Sequence, residues 1–462
     1  MKINLPAFVK EILNKFLKAG YEIYIAGGAV RDILMKKEVH DWDFTTNATP
    51  EIILSLFPDG FYDNQFGTVG ITNLQDEKKK KPGLKIPVYE ITTFRKEMGY
   101  SDKRHPDKVI WGKTLEEDLI RRDFTIDAMA FYPLPNGSFK LIDPHSGQKD
   151  IKAKLMRAVG NPNERFSEDA LRMMRAIRIA TQLGFSIEEK TFQAIKKNVD
   201  LIEQISAERI RDELLKLLSY PFAADGYLLL RNSGLAEKIL PDVESGFGVQ
   251  QKSPGRHHLL DVGNHSLESL RNSKSTDPIV NLAILLHDVG KPTVARVQKD
   301  GVITFYNHEM IGASLARNIA QRLKLSKKQT AKLVTLVRWH QFSVDEKQTD
   351  KAIRRFIRNV GKENIEDMLQ LRTADRLGGG ARETSWRMEL FKKKLIEVQK
   401  EPFLITDLKI NGNEVMKALK IHAGPLVGRL LNQLFEEVID KKLKNERETL
   451  LKRVKKIGKT LV

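Results

Sequence analysis

Asp41 and Asp43 are the residues of this 462-residue sequence with the clearest capacity for chemistry. They lie in the segment Asp41-Trp42-Asp43-Phe44, which reads as part of a β-strand. Because side chains alternate along a strand, the two carboxylates would share one face while Trp42 and Phe44 point into the core. Two carboxylates at this spacing can hold divalent cations about 3.5–4 Å apart, the arrangement used for in-line phosphoryl or nucleotidyl transfer.

A pair of glycines precedes these acids. Gly27 and Gly28 follow an apolar strand and lead into a short helix, so backbone amides can approach a triphosphate closely beside the positive end of that helix. Arg31 could return to the triphosphate, because a guanidinium matches phosphate geometry. Its alternative role is an ion pair with Asp32 or Asp41. The order strand, Gly-Gly, helix, Asp-x-Asp strand therefore predicts a nucleotide-polymerising site.

Further polar residues of the first part of the chain suit the same chemistry. Glu90, in the predicted strand VYEITTF, is a candidate third carboxylate beside the metal site, and its alternative is an edge-strand glutamate that faces water. The run Arg121-Arg122-Asp123 precedes an apolar stretch. An arginine there could bind the triphosphate, and the aspartate could bind a ribose hydroxyl, which deoxyribonucleotides lack. The alternative for this run is a surface salt bridge.

Asp169, Arg172, Arg175 and Arg178 recur every three residues in the predicted helix SEDALRMMRAIRIATQLG. Neighbouring members would lie close together on one slowly drifting face. A carboxylate beside a guanidinium presents an acceptor and donors in one plane, so such a pair could read a nucleobase without a nucleic-acid template. The alternative is an intrahelical ion pair worth only about a few tenths of a kcal/mol. Three aligned arginines exceed that purpose and favour base reading.

Several motifs of the first half occur in a fixed order: YIAGGAVRD with DWD, RRDFTIDAMA, IDPHSG, EDALRMMRAIR and SAERIRDELLKLL. Their order and spacing resemble the successive motifs of the class II tRNA nucleotidyltransferases, the CCA-adding enzymes of the polymerase-β-like superfamily. The resemblance implies that Asp41 and Asp43 hold Mg²⁺ and activate the 3′-hydroxyl of the RNA. It also implies that Gly28, Arg31 and Arg122 bind the triphosphate of the incoming nucleotide and that Asp123 binds its ribose. By the same resemblance, Asp169 and Arg172 pair with the base of CTP or ATP, and Arg175 and Arg178 support them.

This chain departs from that family pattern at Asp127, where the family favours asparagine, a mild change that bears on the local hydrogen bonding. The segment TFRKEMGYSDKRHPDKVIWG, residues 93–112, resembles the family's flexible loop, which is associated with the switch from C to A addition. Enzymes that add only CC lack that loop. Its presence therefore argues against a CC-only enzyme, and it does not separate full CCA addition from A addition alone.

A second set of metal-binding residue types follows in the later part of the chain: His265, His287, Asp288, His308, His340 and Asp375. Imidazoles and carboxylates are suitable ligands for a divalent metal. The ordered series, with Lys291 nearby, resembles the two-metal version of the HD-type phosphohydrolases. That resemblance implies a second divalent metal, Mn²⁺, Ni²⁺ or Fe²⁺, and a phosphodiesterase or phosphatase activity. The alternative is a structural core that has kept these residues.

Strand patterns that could position the first site are concentrated before residue 150: YEIYIAG, DWDFTT, TVGITN, KIPVYEITTF and FKLIDP. Beyond residue 151 nearly every segment has helical periodicity. The predicted fold class is α+β, with a polymerase-β-like nucleotidyltransferase head containing a mixed sheet, followed by all-α neck, body/HD and tail domains. The predicted domains are the head at 1–150, the base-recognising neck at 151–220, a body and linker at 221–255, the HD-type domain at 256–380 and a basic tail at 381–462.

A net charge of +18 favours a polyanionic partner, although lysine-rich surfaces also serve solubility. The segment KKLKNERETLLKRVKKIGK concentrates positive charge on a predicted helix and is the best candidate for binding the tRNA backbone. The sequence has no cysteine, which excludes disulfides and thiolate metal sites. No apolar run approaches the roughly 20 residues of a membrane span. These features predict a cytoplasmic protein that does not bind membranes.

The sequence therefore predicts template-independent addition of CCA, or of its terminal A, to tRNA 3′ ends from CTP and ATP by two-metal catalysis. A poly(A) polymerase of the same superfamily would share these motifs. An HD-type nucleotide hydrolase whose head only binds a regulator is a further alternative. A non-catalytic RNA-binding protein is disfavoured, because it has no need for Asp-x-Asp beside a glycine turn.

Overall fold

The computed structural model describes residues 1–64, 67–73, 87–98, 108–251, 260–398, 405–440 and 442–461. The centre of the predicted flexible loop, residues 99–107, lies outside the described residues. The chain divides into two compact units, Met1–Glu244 and Ser245–Val462. Within the described residues, no helix is long and apolar enough to cross a membrane.

A seven-stranded mixed sheet dominates the first part of the first unit, with the strand order β3-β4-β5-β2-β1-β8-β9. Its strands are β1 (Ile23–Ala26), β2 (Asp43–Thr46), β3 (Phe61–Asn64), β4 (Thr68–Thr72), β5 (Val88–Thr93), β8 (Ala130–Pro133) and β9 (Phe139–Ile142). The strands β2 and β5 run parallel, and the other adjacent pairs are antiparallel. The remaining strands form two small pairs: β6 (Arg95–Met98) with β7 (Lys108–Trp111), and β10 (Leu155–Met156) with β11 (Ser186–Ile187).

Helices cover this sheet because their apolar residues recur at helical spacing. Val9, Ile12 and Phe16 of the first helix, Ala7–Lys18, are buried in one cluster with Phe44 of β2. This burial fixes the end of the sheet from which the acidic residues project. The predicted mixed sheet with flanking helices, and the α+β class, are confirmed.

Three details of the sheet differ from the sequence prediction. The strand β2 begins at Asp43, so Asp41 precedes the strand, although Trp42 and Phe44 are buried as expected. The edge strand β3, Phe61–Asn64, was not predicted. The strand β8, Ala130–Pro133, which lies between β1 and β9, was read only as an apolar run. Most of its residues are buried, so the alternation that identifies a half-exposed strand is missing.

Among its described residues, the first unit has helices at Ala7–Lys18, Gly28–Leu34, Pro50–Leu56, Leu115–Ile120, Gly147–Ala153, Pro162–Glu168, Leu171–Leu183, Glu189–Lys197, Ala207–Leu218, Ala223–Ser233, Leu235–Ile239 and Pro241–Glu244. Short 3-10 segments occur at Thr125–Asp127 and Val199–Gln204. From residue 157 to the end of this unit, the described structure is predominantly helical, as predicted.

The predicted continuous helix SEDALRMMRAIRIATQLG is wrong at its beginning. One helix ends at Glu168 and the next begins at Leu171, and Asp169 between them has an extended backbone with φ −136° and ψ 104°. The Asp169 carboxylate accepts a hydrogen bond from the backbone N–H of Leu171 at 3.0 Å. A short acidic side chain that bonds a nearby amide competes with helical hydrogen bonding, so the chain breaks there.

The second unit is helical apart from a small hairpin. Its helices are Val262–Arg271, Pro278–Leu286, Lys291–Val294, His308–Arg322, Lys327–Trp339, Asp350–Val360, Ile365–Gly378, Trp386–Val398, Gly412–Leu419, Pro425–Ile439 and Arg447–Leu461, with 3-10 segments at Lys362–Asn364 and Ile405–Asp407. The hairpin pairs β12 (Arg296–Val297) with β13 (Ile303–Thr304). Buried residues from the last three helices form one apolar cluster around Leu434 and Phe435.

Candidate functional site

The glycine turn brings backbone, carboxylate and guanidinium together at the end of β1. Gly27 has φ 68° and ψ −136°, a conformation that side chains rarely allow. A Cβ built at Gly27 would lie 2.8 Å from Nη1 of Arg122 and 3.5 Å from Oδ2 of Asp43. Both the backbone conformation and the space therefore require glycine. Its close approach leaves the turn backbone next to an anion-binding side chain and a metal-binding side chain.

Three carboxylates lie at this end of the sheet. Asp43 is in register with Glu90 on the parallel strand β5, so their side chains share one face, and both Glu90 and Asp41 are exposed. Burial raises the pKa of Asp43, Arg122 opposes that rise, and the nearby charge of Asp41 adds to it. A cation bound between two neighbouring carboxylates reduces their mutual repulsion.

Arg31 is buried and already paired. Its Nε donates to Asp32 at 2.8 Å, and its Nη1 donates to Asp127 at 2.7 Å. The ion pair with Asp32 is the alternative role considered from the sequence, whereas the partner role of Asp127 was missed. Asp127 is the position that departs from the family pattern, and its carboxylate gives Arg31 a second charged acceptor.

Asp118 is a buried carboxylate beside this site that the sequence did not lead us to single out. It is fully buried, and it accepts from Arg121 Nη2 at 2.6 Å and from Arg122 Nη2 at 3.2 Å. Burial alone would raise the pKa of Asp118, but the two arginines lower it below its ordinary value. The sequence pattern that could have predicted these ion pairs is the helical spacing, since Asp118 lies three and four residues before Arg121 and Arg122. The Arg-Arg-Asp run is thus partly an ion-pair network, and a buried one.

The residues predicted to read the base each have another protein partner. Arg172 donates from Nε to Asp123 at 2.7 Å, and Arg175 lies 2.8 Å from the other oxygen of the same carboxylate. Asp169 accepts from Arg209 Nη2 at 2.8 Å. The expected side-by-side contact between Asp169 and Arg172 is therefore replaced by two separate pairs, because the helix breaks at Asp169.

The surrounding charges complete this network. Arg172 also pairs with Glu168 and donates to the carbonyl of Arg165 at 3.0 Å, and Arg178 pairs with Glu213. Although burial acts to raise the pKa of Asp123, the neighbouring Arg175 and Arg172 lower it. These residues form a connected, ionised network within the first unit.

The six metal-binding residues predicted in the second unit converge on one place. The central residue is Asp288: its Oδ2 lies 3.3 Å from His287 Nε2 and 3.8 Å from His265 Nε2, and its Oδ1 lies 3.4 Å from His308 Nε2 and 3.6 Å from His340 Nε2. The ligand atoms of His265, His287 and Asp288, and those of Asp288, His308 and His340, each lie within 4.8 Å of one another. Asp375 Oδ1 lies 3.1 Å from His265 Nε2. One carboxylate thus faces two groups of imidazoles with its two oxygens.

The backbone orients these imidazoles. The Nδ1 atoms of three histidines each lie within hydrogen-bond distance of the carbonyl three residues earlier: His287 to Ile284 at 2.7 Å, His308 to Phe305 at 2.8 Å and His340 to Val337 at 2.7 Å. Donation from Nδ1–H leaves the lone pair of Nε2 directed into the cluster. This is the outer-shell arrangement that fixes metal-ligating histidines.

The protonation states of this histidine centre suit a cation at most of its ligands; the exception is His287, whose pKa is raised by Asp288 despite burial, so that a metal would have to displace its proton. Despite burial, Lys291 and His287 hold the pKa of Asp288 well below its usual range, with Lys291 Nζ at 2.6 Å. Burial would raise the pKa of Asp375, but His265 lowers it. Burial lowers the pKa of His340. Ionised carboxylates and a neutral imidazole are the forms that bind metal. A cavity of about 530 Å³, also lined by Tyr306 and Arg372, opens onto the cluster.

Three family models match this chain. The model of the poly(A) polymerase head domain matches residues 23–157, and the model described as "Probable RNA and SrmB- binding site of polymerase A" matches residues 184–247. The model of tRNA nucleotidyltransferase domain 2 matches residues 304–454. The first of these contains the glycine turn and its acids, and the last overlaps the histidine centre and the tail.

Curated relatives and solved structures agree with these matches. The CCA-adding enzyme of Limosilactobacillus reuteri (strain DSM 20016) is 33% identical over 467 residues, which cover 99% of this chain and 100% of the relative. That of Lactobacillus helveticus (strain DPC 4571) is 43% identical over 243 residues, 52% of this chain and 57% of the relative. The crystal structure of the Bacillus stearothermophilus CCA-adding enzyme in complex with CTP superposes with a TM-score of 0.70 at 27% identity, covering 99% of each chain.

Proposed function

The chain belongs to the family of CCA-adding enzymes, and we propose that it adds cytidine and adenosine to tRNA 3′ ends from CTP and ATP without a nucleic-acid template. The observation that carries this proposal is the meeting of Asp43, the Gly27 turn and Arg122 at one end of the sheet. They provide a carboxylate for a cation, open backbone for a triphosphate and a guanidinium for its charge, which are the components that nucleotidyl transfer requires.

The family's chemistry uses a divalent metal, and the residues present fit Mg²⁺. We assign it to Asp41 and Asp43, with Glu90 as the third carboxylate, because hard oxygen ligands suit this ion. Burial raises the pKa of Asp43, the charges of Asp41 and Asp127 add to that rise, and a bound cation would stabilise the ionised carboxylate. When bound, Mg²⁺ activates the attacking 3′-hydroxyl and stabilises the leaving pyrophosphate.

The protein's own residues bind the rest of the nucleotide. Arg122 lies beside the glycine turn and balances the charge of the triphosphate that meets the backbone at Gly27 and Gly28. Arg31 approaches the same anion from the helix that follows, where Asp127 and Asp32 hold it. We assign the ribose hydroxyl to Asp123, whose carboxylate lies at the junction with the base-reading network.

Base selection in this proposal requires an exchange of partners. Asp169 is bound by Arg209 and Arg172 is bound by Asp123, so a cytosine or adenine edge must compete with these contacts to be read. Arg175 also binds Asp123, and Arg178 binds Glu213, so these two arginines support the reading pair from the same helix.

The histidine centre supports a second metal site in the proposed HD-type domain at 256–380. Its donors are His265, His287, Asp288, His308, His340 and Asp375. A mixture of imidazoles and carboxylates suits Mn²⁺, Ni²⁺ or Fe²⁺ better than Mg²⁺. When loaded, such a site supplies a metal-activated water for phosphoester hydrolysis. A phosphodiesterase or phosphatase activity is the second function that we propose for this chain, and the converging donors are what supports it.

The proposed tRNA substrate suggests roles for the neck, the linker and the tail. We propose that the neck at 151–220 selects the base, that 221–255 links it to the HD-type domain, and that the tail at 381–462 binds the tRNA backbone. Its last helix, Arg447–Leu461, carries much of the tail's positive charge, and phosphate contacts of this kind supply affinity without sequence specificity. Since tRNA and free nucleotides occur in the cytoplasm, we propose that the enzyme acts there.

Incubation with three RNAs tests the primary function. The substrates are a tRNA that ends before the first C, one that ends after one C and one that ends after both, each supplied with CTP and ATP together or singly. Full CCA addition extends all three and stops after A. Extension of only the third RNA identifies an A-adding enzyme, and an open-ended A tail identifies a poly(A) polymerase instead.

A further inference from the structure

Arg372 lies beside the histidine centre with donors that the protein does not use. It is one turn before the ligand Asp375 on the helix Ile365–Gly378, and its Nη1 donates to Asp375 Oδ2 at 3.0 Å. Its Nε is buried and has no hydrogen-bond partner among the described residues. The guanidinium carbon lies 5.6 Å from the centre of the Phe342 ring, which restrains the group. An unpaired buried donor is costly unless a ligand completes it.

The second cationic side chain of the cavity, Lys291, already has two partners in the protein. Lys291 Nζ contacts Asp288 Oδ2 at 2.6 Å and donates to Gln251 Oε1 at 2.5 Å. The acidic side chain of Glu309, which also lines the cavity, is paired with Arg338 at 3.4 Å. Lys291 thus has one ammonium hydrogen left, whereas Arg372 keeps the paired donors of its Nε edge, which makes Arg372 the cation better suited to an oxyanion among the described lining residues.

We infer that Arg372 anchors the phosphate group of a phosphomonoester at the histidine centre, an assignment that rests on the proposed metal loading of that centre. The Nε edge of a guanidinium offers two parallel donors that match two phosphate oxygens. A phosphomonoester has three terminal oxygens, so two can bind Arg372 while the third faces the metal ligands. A phosphodiester has two terminal oxygens and cannot satisfy both partners in this way.

Binding of inorganic phosphate to the Mn²⁺-loaded full-length protein tests this inference, with dimethyl phosphate as the diester probe. Isothermal titration calorimetry first measures Mn²⁺ affinity and then the affinity of each anion. Arg372→Gln removes the charge, and Arg372→Lys keeps the charge but removes the paired donors. Arg376→Gln is the matched control, because Arg376 is on the same helix and donates to the carbonyl of Arg382 outside the cavity.

Wild-type protein is expected to bind phosphate more tightly than dimethyl phosphate. Arg372→Gln should weaken phosphate binding by about tenfold or more, Arg372→Lys by less, and Arg376→Gln should leave it unchanged. Mn²⁺ affinity should stay at the wild-type value in Arg376→Gln and fall by no more than about 10- to 100-fold in the two Arg372 variants, which lose or weaken the hydrogen bond to Asp375, so phosphate binding is compared at saturating Mn²⁺.

Unchanged phosphate affinity in Arg372→Gln would overturn the inference. A loss of phosphate affinity that disappears at saturating Mn²⁺ would also overturn it, since Arg372 would then only position Asp375. Equal binding of dimethyl phosphate would contradict the monoester class. Wild-type protein that takes up no Mn²⁺ would instead refute the second metal centre itself, and with it the role of Arg372.

Discussion

The nucleotide site of the first unit and the histidine centre of the second differ in how their charges are held. In the first unit, Asp169 and Arg172 are bound by other charged side chains. In the second, the imidazoles around Asp288 are oriented by backbone carbonyls, which hold no charge that a ligand must displace. The imidazoles of the proposed metal centre are therefore oriented in advance, although its carboxylates Asp288 and Asp375 are paired with Lys291 and Arg372, whereas the proposed base reading requires an exchange of ion pairs.

This difference matches the demands of the two proposed tasks. A metal centre takes the same ion in each cycle, so fixed ligands lower the cost of binding it. An enzyme that accepts first CTP and then ATP must present two hydrogen-bonding patterns, which a network of exchangeable pairs allows. The predictions below test whether the two regions are independent and whether their charges act as described.

The largest effect is expected from Asp288→Asn, because this carboxylate faces both groups of imidazoles. Loss of its charge should lower Mn²⁺ affinity by more than about 100-fold, since even outer-shell partners cost 10- to 100-fold. Incorporation of CMP and AMP into tRNA should be unchanged. Equilibrium dialysis and the three-RNA assay measure the two properties, with the exposed Asp300→Asn as control. A variant that retains metal but loses tRNA extension would break the proposed independence.

Asp118→Asn should cost about 3–5 kcal/mol in the free energy of unfolding, because it removes the buried charge that pairs with both Arg121 and Arg122. The pKa of Asp118 is lowered in the folded protein, so its contribution is present at neutral pH and is lost as the pH falls below about 4. Urea denaturation at neutral and acidic pH should show the variant's deficit shrink on acidification. The exposed Asp59→Asn is the control, and a deficit independent of pH would contradict the assigned charge.

A smaller effect is expected from Arg209→Gln, because Arg209 positions Asp169 without being assigned to the nucleotide. Discrimination of CTP and ATP against UTP and GTP, measured as ratios of kcat/KM, should fall by about tenfold. Overall stability should change little, since an amide can still donate to Asp169. Arg211→Gln is the matched control on the same helix, where Arg211 pairs with Asp212 at 2.8 Å. Unaltered discrimination would show that the Asp169–Arg209 pair is structural only.

Local spacing predicted much of this molecule. The alternation of polar and apolar residues in Asp41-Trp42-Asp43-Phe44 correctly predicted that Trp42 and Phe44 are buried. Local spacing is sufficient here, because alternate residues of an extended segment point to the same face. The histidine series gave residues that the structure brings together, because each lies at or near a helix end facing a common centre. Their roles in binding remain predictions.

Contacts between segments that are far apart in sequence could not be predicted from local spacing. The pairs Arg31–Asp127 and Asp169–Arg209 join residues far apart in sequence, so no periodicity identifies them. The burial of Asp118 was missed because a charged residue is expected at the surface until its partners are known. The break at Asp169 was missed because helical spacing continues through it, and only the side-chain bond to the Leu171 amide ends the helix.

The central claim is that Asp43 directly supports nucleotide transfer to tRNA. Extension of a tRNA that lacks its 3′ CCA, measured for wild-type protein, Asp43→Asn and the control Asp59→Asn, tests it most directly. We expect Asp43→Asn to lower the rate by about 1,000-fold or more while tRNA binding and Mn²⁺ binding at the histidine centre stay unchanged. Extension by Asp43→Asn at the wild-type rate would contradict the account.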